Sequence, residues 1–343
     1  APGGKSTLLQ SLINANSLLV SNEVIKTRVN ILSENISKWG AANVVVTSND
    51  PHDFQRLPDF FDVIVVDAPC SGSGLFRRDP NAIAEWSEQN VTLCSQRQQR
   101  ILADILPCLK AGGILIYSTC SYSMEEDEAI ADWLVGEMNL QAKTLEIDPE
   151  WGITVTQSPI HNSIGYRFYP NKVRGEGFFL AAFQKNHAEN SGKWQLKNKL
   201  DKLTSKQTAP LLPWLNKPLE ELLFLQQQDS IIAIPANLEQ SLHAIQSNLY
   251  IRKAGVKLGS LIRNELIPDH ELAVSTLLST EVLAVTVNLE TALQYLRRAD
   301  FNIENAPKGW CAIQYQTLKL GWIKALPNRI NNYYPKEWRI LHK

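Results

Sequence analysis

Short apolar runs punctuate the first 120 residues, each closed by polar or turn-forming residues: Ser17 to Ser21, Asn43 to Thr47, Val63 to Val66 and Gly113 to Ser118. Runs of this length bounded by Gly, Pro, Asn or Asp read as buried strands. Between them the apolar positions take helical spacing. Val29, Leu32 and Ile36 share one side of a helix over Ile25 to Trp39 that Gly40 stops, and further helices are expected from Ser6 to Asn14, from about Ser87 to Leu109 and from about Glu125 to Glu137. Strand and helix in alternation imply an α/β fold with a parallel, doubly wound, Rossmann-like sheet. Residues 166 to 183 read as a closing hairpin with Gly175, Glu176 and Gly177 at its turn.

The second half carries a different pattern. Asn186 to Asn216 is polar, dotted with lysine and interrupted by Pro210 and Pro213, and reads as a linker over 187–217. Leu219 to Gln246 holds one strand, SIIAIP, between helical patches, as in a small α+β domain. Val282 to Val287 and Ala312 to Ile323 then alternate like the strands of a barrel. The expected domains are 1–186, the linker, and 218–343.

Composition changes this picture little. At 343 residues, 44% apolar and 20% charged, the chain suits a globular protein of two or three domains. No stretch of about eighteen apolar residues and no signal-peptide pattern is present, so a cytoplasmic protein without membrane contact is expected, and a monomer. The five cysteines include no CxxC pair, which argues against a disulfide framework and against a structural zinc site; no metal is expected. Charge matters more through its distribution than through its net value of −1. Residues 1 to 186 hold 15 Lys+Arg and 21 Asp+Glu, whereas residues 187 to 343 hold 19 and 14. A basic tail rich in Trp and Tyr can bind phosphates and stack on unpaired bases.

The candidate chemistry gathers at the strand ends, where ligands bind in open α/β sheets. DVIVVDAPCSGSG, Asp62 to Gly74, delivers Asp67 and Cys70, and GILIYS delivers Thr119, Cys120 and Ser121 to the same rim. Ala1, Pro2, Gly3, Gly4 and Lys5 form a glycine loop before a helix, of the kind that presents backbone N–H groups to a ligand. The strand that normally leads into such a loop is missing from the sequence. Glu23 ends the second strand, where an acid accepts both hydrogen bonds of a ribose, and Asp50 ends the third, within reach of an adenine. Together these residues describe an adenosine-containing cofactor. Gly4-Lys5-Ser6-Thr7 also closes a phosphate loop of the form GxxxxGK[ST], with DVIVVD as its magnesium strand, so a nucleotide hydrolase stays open here. So does an RNA-docking chain without activity.

Ala1 to Lys5, Asp67-Ala68-Pro69-Cys70-Ser71-Gly72, Thr119-Cys120-Ser121 and RFYPNKVRGEGFF, Arg167 to Phe179, resemble in family order the motifs of the Nop/Sun RNA cytosine-5 methyltransferases. The resemblance covers residues 1 to 185. Arg252 to Gly259 and LPNRINNYYPKEWR, Leu326 to Arg339, are similar to the tail of the bacterial branch that acts on small-subunit ribosomal RNA, which implies a PUA-like RNA-binding module. The family's usual Asp after its second strand is here Glu23. The resemblance implies S-adenosyl-L-methionine as cofactor, RNA as partner, Cys120 as attacking thiolate, Cys70 as the cysteine needed for release, and Asp67 on the N3 and N4 edge of the base. It adds Arg28 as a cofactor contact. Lys5, Arg167 and Lys172 are candidates for cofactor, base or phosphate contacts.

Overall fold

The computed structural model describes residues 2–186, 194–197 and 199–341. The chain forms two compact units, residues 50–195, and residues 1–49 with 196–343.

In the unit of residues 50–195 a six-stranded sheet has the order Phe61–Asp67, Leu109–Thr119, Phe178–Lys185, Ile164–Phe168, Thr154–Gln157, with Leu140–Lys143 also paired to Phe178–Lys185. The first two strands are parallel, joined through the helix Glu88–Ile105. That helix starts where Ser87 accepts a hydrogen bond from the Asn90 N–H, and it turns Val91, Cys94, Gln98 and Leu102 inward at helical spacing. The core includes Leu102, Leu109, Leu115, Tyr117, Phe179 and Phe183, all essentially inaccessible to solvent.

The sheet is mixed, not wholly parallel as the alternating pattern predicts. Phe178–Lys185 runs antiparallel to both of its main neighbours, Leu109–Thr119 and Ile164–Phe168. The reason is connection length: residues 169–177 are too few for the crossover of a dozen or more residues that a parallel return needs, so the expected closing hairpin forms instead.

In the other unit, Leu19–Asn22 and Val44–Thr47 pair in parallel, behind the helices Gly4–Leu12 and Lys26–Trp39. Their third partner, antiparallel to Val44–Thr47, is Ile251–Ala254 from the far half of the chain. Gly40 ends the second helix at φ +81°, and a Cβ there would lie 2.3 Å from the Val274 carbonyl oxygen, so glycine is required. Two sheets follow: an antiparallel one, Glu265–Pro268, Val256–Ile262, Ser230–Pro235, Leu222–Gln227, and a mixed one, Ala284–Val287, Gly309–Tyr315, Leu318–Leu326, Arg329–Asn332, whose first pair is parallel and whose other pairs are antiparallel.

The expected linker is partly folded. Residues 187–193 and 198 lie outside the described residues, but Ser205–Thr208 and Ala209–Trp214 are helical. Leu211 and Leu215 are buried in a core with Trp322, an apolar pair that the surrounding prolines and lysines conceal in the sequence. The first helical patch expected after it is the strand Leu222–Gln227.

Candidate active site

Register builds the rim. Asp67 stands opposite Ser118 in the parallel ladder, so the loops that follow leave the sheet at one edge. Backbone bonds then join them: Ala68 N–H to Ser118 O (2.9 Å), Gly74 N–H to Cys120 O (2.8 Å) and Gly177 N–H to Gly74 O (3.0 Å). A Cβ on Gly74 would lie 2.6 Å from the Cys120 carbonyl oxygen, and this close approach requires glycine.

The result brings Cys70 Sγ and Cys120 Sγ within 2.6 Å of each other, both as free thiol residues. The hydrogen bond to Cys120 and then burial hold the Cys70 thiol well above the ordinary cysteine range. The pair therefore retains a proton between its two sulfurs, either of which can be the donor. Asp67 is exposed at its strand end.

Beneath the loops lies a set of polar groups that sequence reasoning missed. The fully buried Glu126 carboxylate accepts hydrogen bonds from Ser71 N–H (2.8 Å), Ser71 Oγ (2.5 Å), Ser121 Oγ (2.7 Å) and Gln98 Nε2 (3.0 Å). Its neighbours Asp127 and Glu128 meet Arg167. Arg167 Nε donates to Glu128 Oε1 (2.7 Å), a second guanidinium nitrogen contacts Glu128 Oε2, and Arg167 Nη2 lies 3.1 Å from Asp127 Oδ2. Burial raises Asp127 to about 8, against the opposing pull of the Thr119 hydroxyl and of Arg167. Burial also opposes ionisation of Glu128, but the bonds from Arg167 and Thr156 outweigh it and hold that carboxyl below its ordinary value. One cation thus faces one carboxylate and one carboxylic acid. Arg167, a candidate for cofactor, base or phosphate contacts on the sequence, is nine-tenths buried and engaged internally. The only hint in the sequence is the unbroken acid run Glu125 to Glu128 after a strand-end cysteine.

Lys172 lies outside this cluster, its Nζ donating to Thr154 Oγ1 (3.0 Å) and 5.8 Å above the Tyr169 ring. Asp50 caps the turn Pro51–Arg56 by accepting from the His52 N–H (3.1 Å), with Arg100 at 3.8 Å.

The remaining cofactor candidates belong to the other unit, except Ala1, which lies outside the described residues. Gly3 takes φ +117° and leads into the helix Gly4–Leu12, which begins with no side-chain cap. Asn35 Nδ2 donates to the Pro2 carbonyl (2.7 Å) and holds the loop, in which Gly4 and Lys5 are exposed. Glu23 accepts from the Ile25 N–H (3.0 Å) and pairs with Arg28 (3.2 Å). The hydroxyls that a phosphate loop would turn toward magnesium are engaged elsewhere: Ser6 Oγ with Ser21 Oγ (2.6 Å), and Thr7 Oγ1 with the Gly4 carbonyl (3.0 Å).

The C-terminal aromatics divide by face. Trp322 is fully buried, donating to the Asp269 carbonyl (2.8 Å), and Tyr334 is buried as well. Trp310 and the exposed Tyr333 lie 4.5 Å apart, with Lys324 5.0 Å above the Trp310 ring. Among the described residues no group of three or more His, Cys, Asp or Glu could hold a metal ion, and no helix is long and apolar enough to cross a membrane.

Comparison with known proteins identifies the family. Residues 1–184 match the family described as 16S rRNA methyltransferase RsmB/F, and residues 282–340 match the methyltransferase RsmF PUA domain. The ribosomal RNA small subunit methyltransferase F of Vibrio vulnificus (strain YJ016) is 28% identical over 351 residues, spanning 98% of this chain and 72% of that protein. The protein of the same name from Aeromonas salmonicida (strain A449) is 29% identical over 350 residues, with 98% and 71% covered. Among solved structures, NSun6 from Pyrococcus horikoshii with SFG is 26% identical, covering 55% of this chain and 46% of that one at a TM-score of 0.47. A methyltransferase homolog protein from Pyrococcus horikoshii is 30% identical, covering 54% and 59% at a TM-score of 0.46.

Proposed function

Since the chain belongs to the RsmB/F family of 16S rRNA methyltransferases, we propose that it methylates carbon 5 of a cytosine in small-subunit ribosomal RNA, with S-adenosyl-L-methionine as donor, Cys120 as nucleophile and Cys70 as the residue that assists release. The observation that carries this reading is the pair of sulfurs 2.6 Å apart at adjacent strand ends, one of them held protonated.

Carbon 5 of cytosine is unreactive until a nucleophile adds at carbon 6. Cys120 Sγ forms that bond, and the ring electrons displaced from the 5,6 double bond make carbon 5 nucleophilic. Asp67 faces the N3 and N4 edge of the base, where its carboxylate accepts from the N4 amino group and orients the ring for addition. Bound S-adenosyl-L-methionine supplies the electrophilic methyl group. After transfer the C5 proton passes to water, its bonding pair restores the double bond, and the C6–S pair returns to Cys120. Cys70, donating to that sulfur, stabilises the thiolate as it leaves.

The residues present fit the cofactor. An uncapped helix start behind the left-handed Gly3 suits an anionic carboxylate, and the Glu23 carboxylate suits a ribose diol. We assign Pro2, Gly3, Gly4, Lys5, Glu23, Arg28, Asp50 and Asp67 to it, together with Ala1. Residues 1–186 are assigned to methyl transfer and 218–343 to RNA binding, in a cytoplasmic enzyme.

The test is to incubate the protein with small-subunit ribosomal RNA and methyl-labelled S-adenosyl-L-methionine, then digest the RNA to nucleosides. Label in 5-methylcytidine is expected. Label in any other nucleoside would overturn the assignment of the reaction.

A further inference from the structure

Glu126 plays no part in the steps above, yet its surroundings are organised around both cysteines. Its carboxylate is fully buried and has about four acceptor positions, and four donors fill them. Ser71, which supplies two, follows Cys70; Ser121, which supplies one, follows Cys120. The fourth donor, Gln98, also donates to the carbonyl of Pro69, the residue before Cys70 (3.0 Å), and its own oxygen is 3.0 Å from the Tyr117 hydroxyl. That hydroxyl lies 2.6 Å from the Glu126 carbonyl. The Ser121 hydroxyl in turn accepts from the Ser123 N–H (3.0 Å), fixing the chain beyond Cys120.

An apolar side chain of similar volume would fill this space at no desolvation cost, so packing alone does not call for a buried carboxylate. What a carboxylate adds is direction: it ties two separate loops, 55 and 5 residues away along the chain, to one pair of oxygens. We propose that Glu126 is a positioning residue, one buried acceptor that sets the Cys70 loop and the Cys120 loop in register for successive steps of one reaction. This rests on the covalent reading above. Displacement of a reacting group by about 1 Å can cost on the order of a hundredfold in rate, so the clamp acts on rates more than on binding.

The two serines allow each loop to be loosened by itself. With the intact protein, small-subunit ribosomal RNA and S-adenosyl-L-methionine, single-turnover mixtures are quenched in denaturant, and the protein–RNA adduct is followed on gels as it forms and decays. Ser121→Ala is expected to slow adduct formation about tenfold, and Ser71→Ala to slow its decay about tenfold, with KM for the cofactor unchanged in both. Glu126→Gln is expected to keep both steps within about threefold of wild type, because the serine hydroxyls can turn to accept from its amide while its oxygen still accepts from Ser71 N–H. Glu126→Ala slows both steps; where it fails to fold, the serine variants and Glu126→Gln carry the test. Wild-type rates in both serine variants, with only a lowered unfolding midpoint, would make Glu126 a fold stabiliser and overturn the proposal. So would Glu126→Gln with both steps slowed about tenfold or more, as severely as either step in the serine variants. Absence of any adduct with the wild type, while methylated RNA still forms, would instead sink the covalent reading on which the proposal rests.

Discussion

The cysteine rim and the aromatic face of the C-terminal sheet solve opposite problems. At the rim, polar and charged side chains are buried and tied to one another, with Glu126, Asp127, Glu128 and Arg167 all at or below a tenth exposed. On the C-terminal face Tyr333 is exposed, while Trp310 is half-buried against Trp322 and the core, 4.5 Å from the Tyr333 ring and with Lys324 5.0 Å above its own ring. Bond-making needs groups fixed to a fraction of an ångström, and a buried network achieves this because each unpaired member would be costly. Recognition of a large, charged partner needs accessible rings and cations. Order is concentrated where covalent chemistry is proposed and relaxed where RNA binding is proposed.

Breaking the buried ion pair should therefore have the largest effect. Arg167→Gln leaves Glu128 facing no cation and is expected to destabilise the protein by about 3–5 kcal/mol; chemical denaturation measures this, and a loss below about 1 kcal/mol would show that the cluster is solvated in solution. On the C-terminal face, Tyr333→Ala should change stability far less than Arg167→Gln, because that ring is exposed, and weaken RNA binding by about 1–3 kcal/mol, the usual worth of one stacked base. Fluorescence anisotropy with small-subunit RNA fragments checks it, and unaltered affinity would remove that ring from the interface.

The two regions also separate by pH. Asp127 holds its proton up to about pH 8 in the folded chain, but releases it near its ordinary value of 3.8 when unfolded. Between those values the folded state binds the extra proton, so stability is fully present below about pH 4 and falls as pH rises toward 8. Asp127→Asn should flatten this slope in unfolding midpoints measured from pH 4 to 9, whereas Lys324→Ala should leave it as in the wild type. Equal slopes in Asp127→Asn and wild type would place the ionised form in the folded protein.

Much of the rim was legible because its signals are local. The apolar run before Asp67, the turn residues Pro69, Gly72 and Gly74, and the matching run before Cys120 lie within a few residues of the chemistry. The strands Leu19–Asn22 and Val44–Thr47 and the helix Lys26–Trp39 lie within two residues of their expected bounds for the same reason. What stayed hidden depends on distant partners. Glu125 to Glu128 reads as the start of a helix, and partners distant in the chain, Arg167, Ser71 and Gln98 among them, make three of its four members interior. Trp310 and Trp322 sit in equally alternating strands, and only packing against Trp214 and Asp269 decides that Trp322 is core. The pairing of Val44–Thr47 with Ile251–Ala254 has no local signature at all. The phosphate-loop reading of Gly4 to Thr7 failed differently: the closing residues of its pattern are present, but their hydroxyls bind the protein's own groups and the family is one of methyltransferases.

The central claim is that the two adjacent cysteines have different duties, and one gel tests it. Wild type, Cys70→Ala, Cys120→Ala and the double variant are each mixed with labelled small-subunit RNA and S-adenosyl-L-methionine and run under denaturing conditions. A shifted protein–RNA band should accumulate with Cys70→Ala, which attaches but releases poorly, and should be missing from Cys120→Ala and from the double variant, where nothing is attached. A band from Cys120→Ala and none from Cys70→Ala would reverse the two roles, and methylated RNA with no band from any variant would contradict covalent attachment itself.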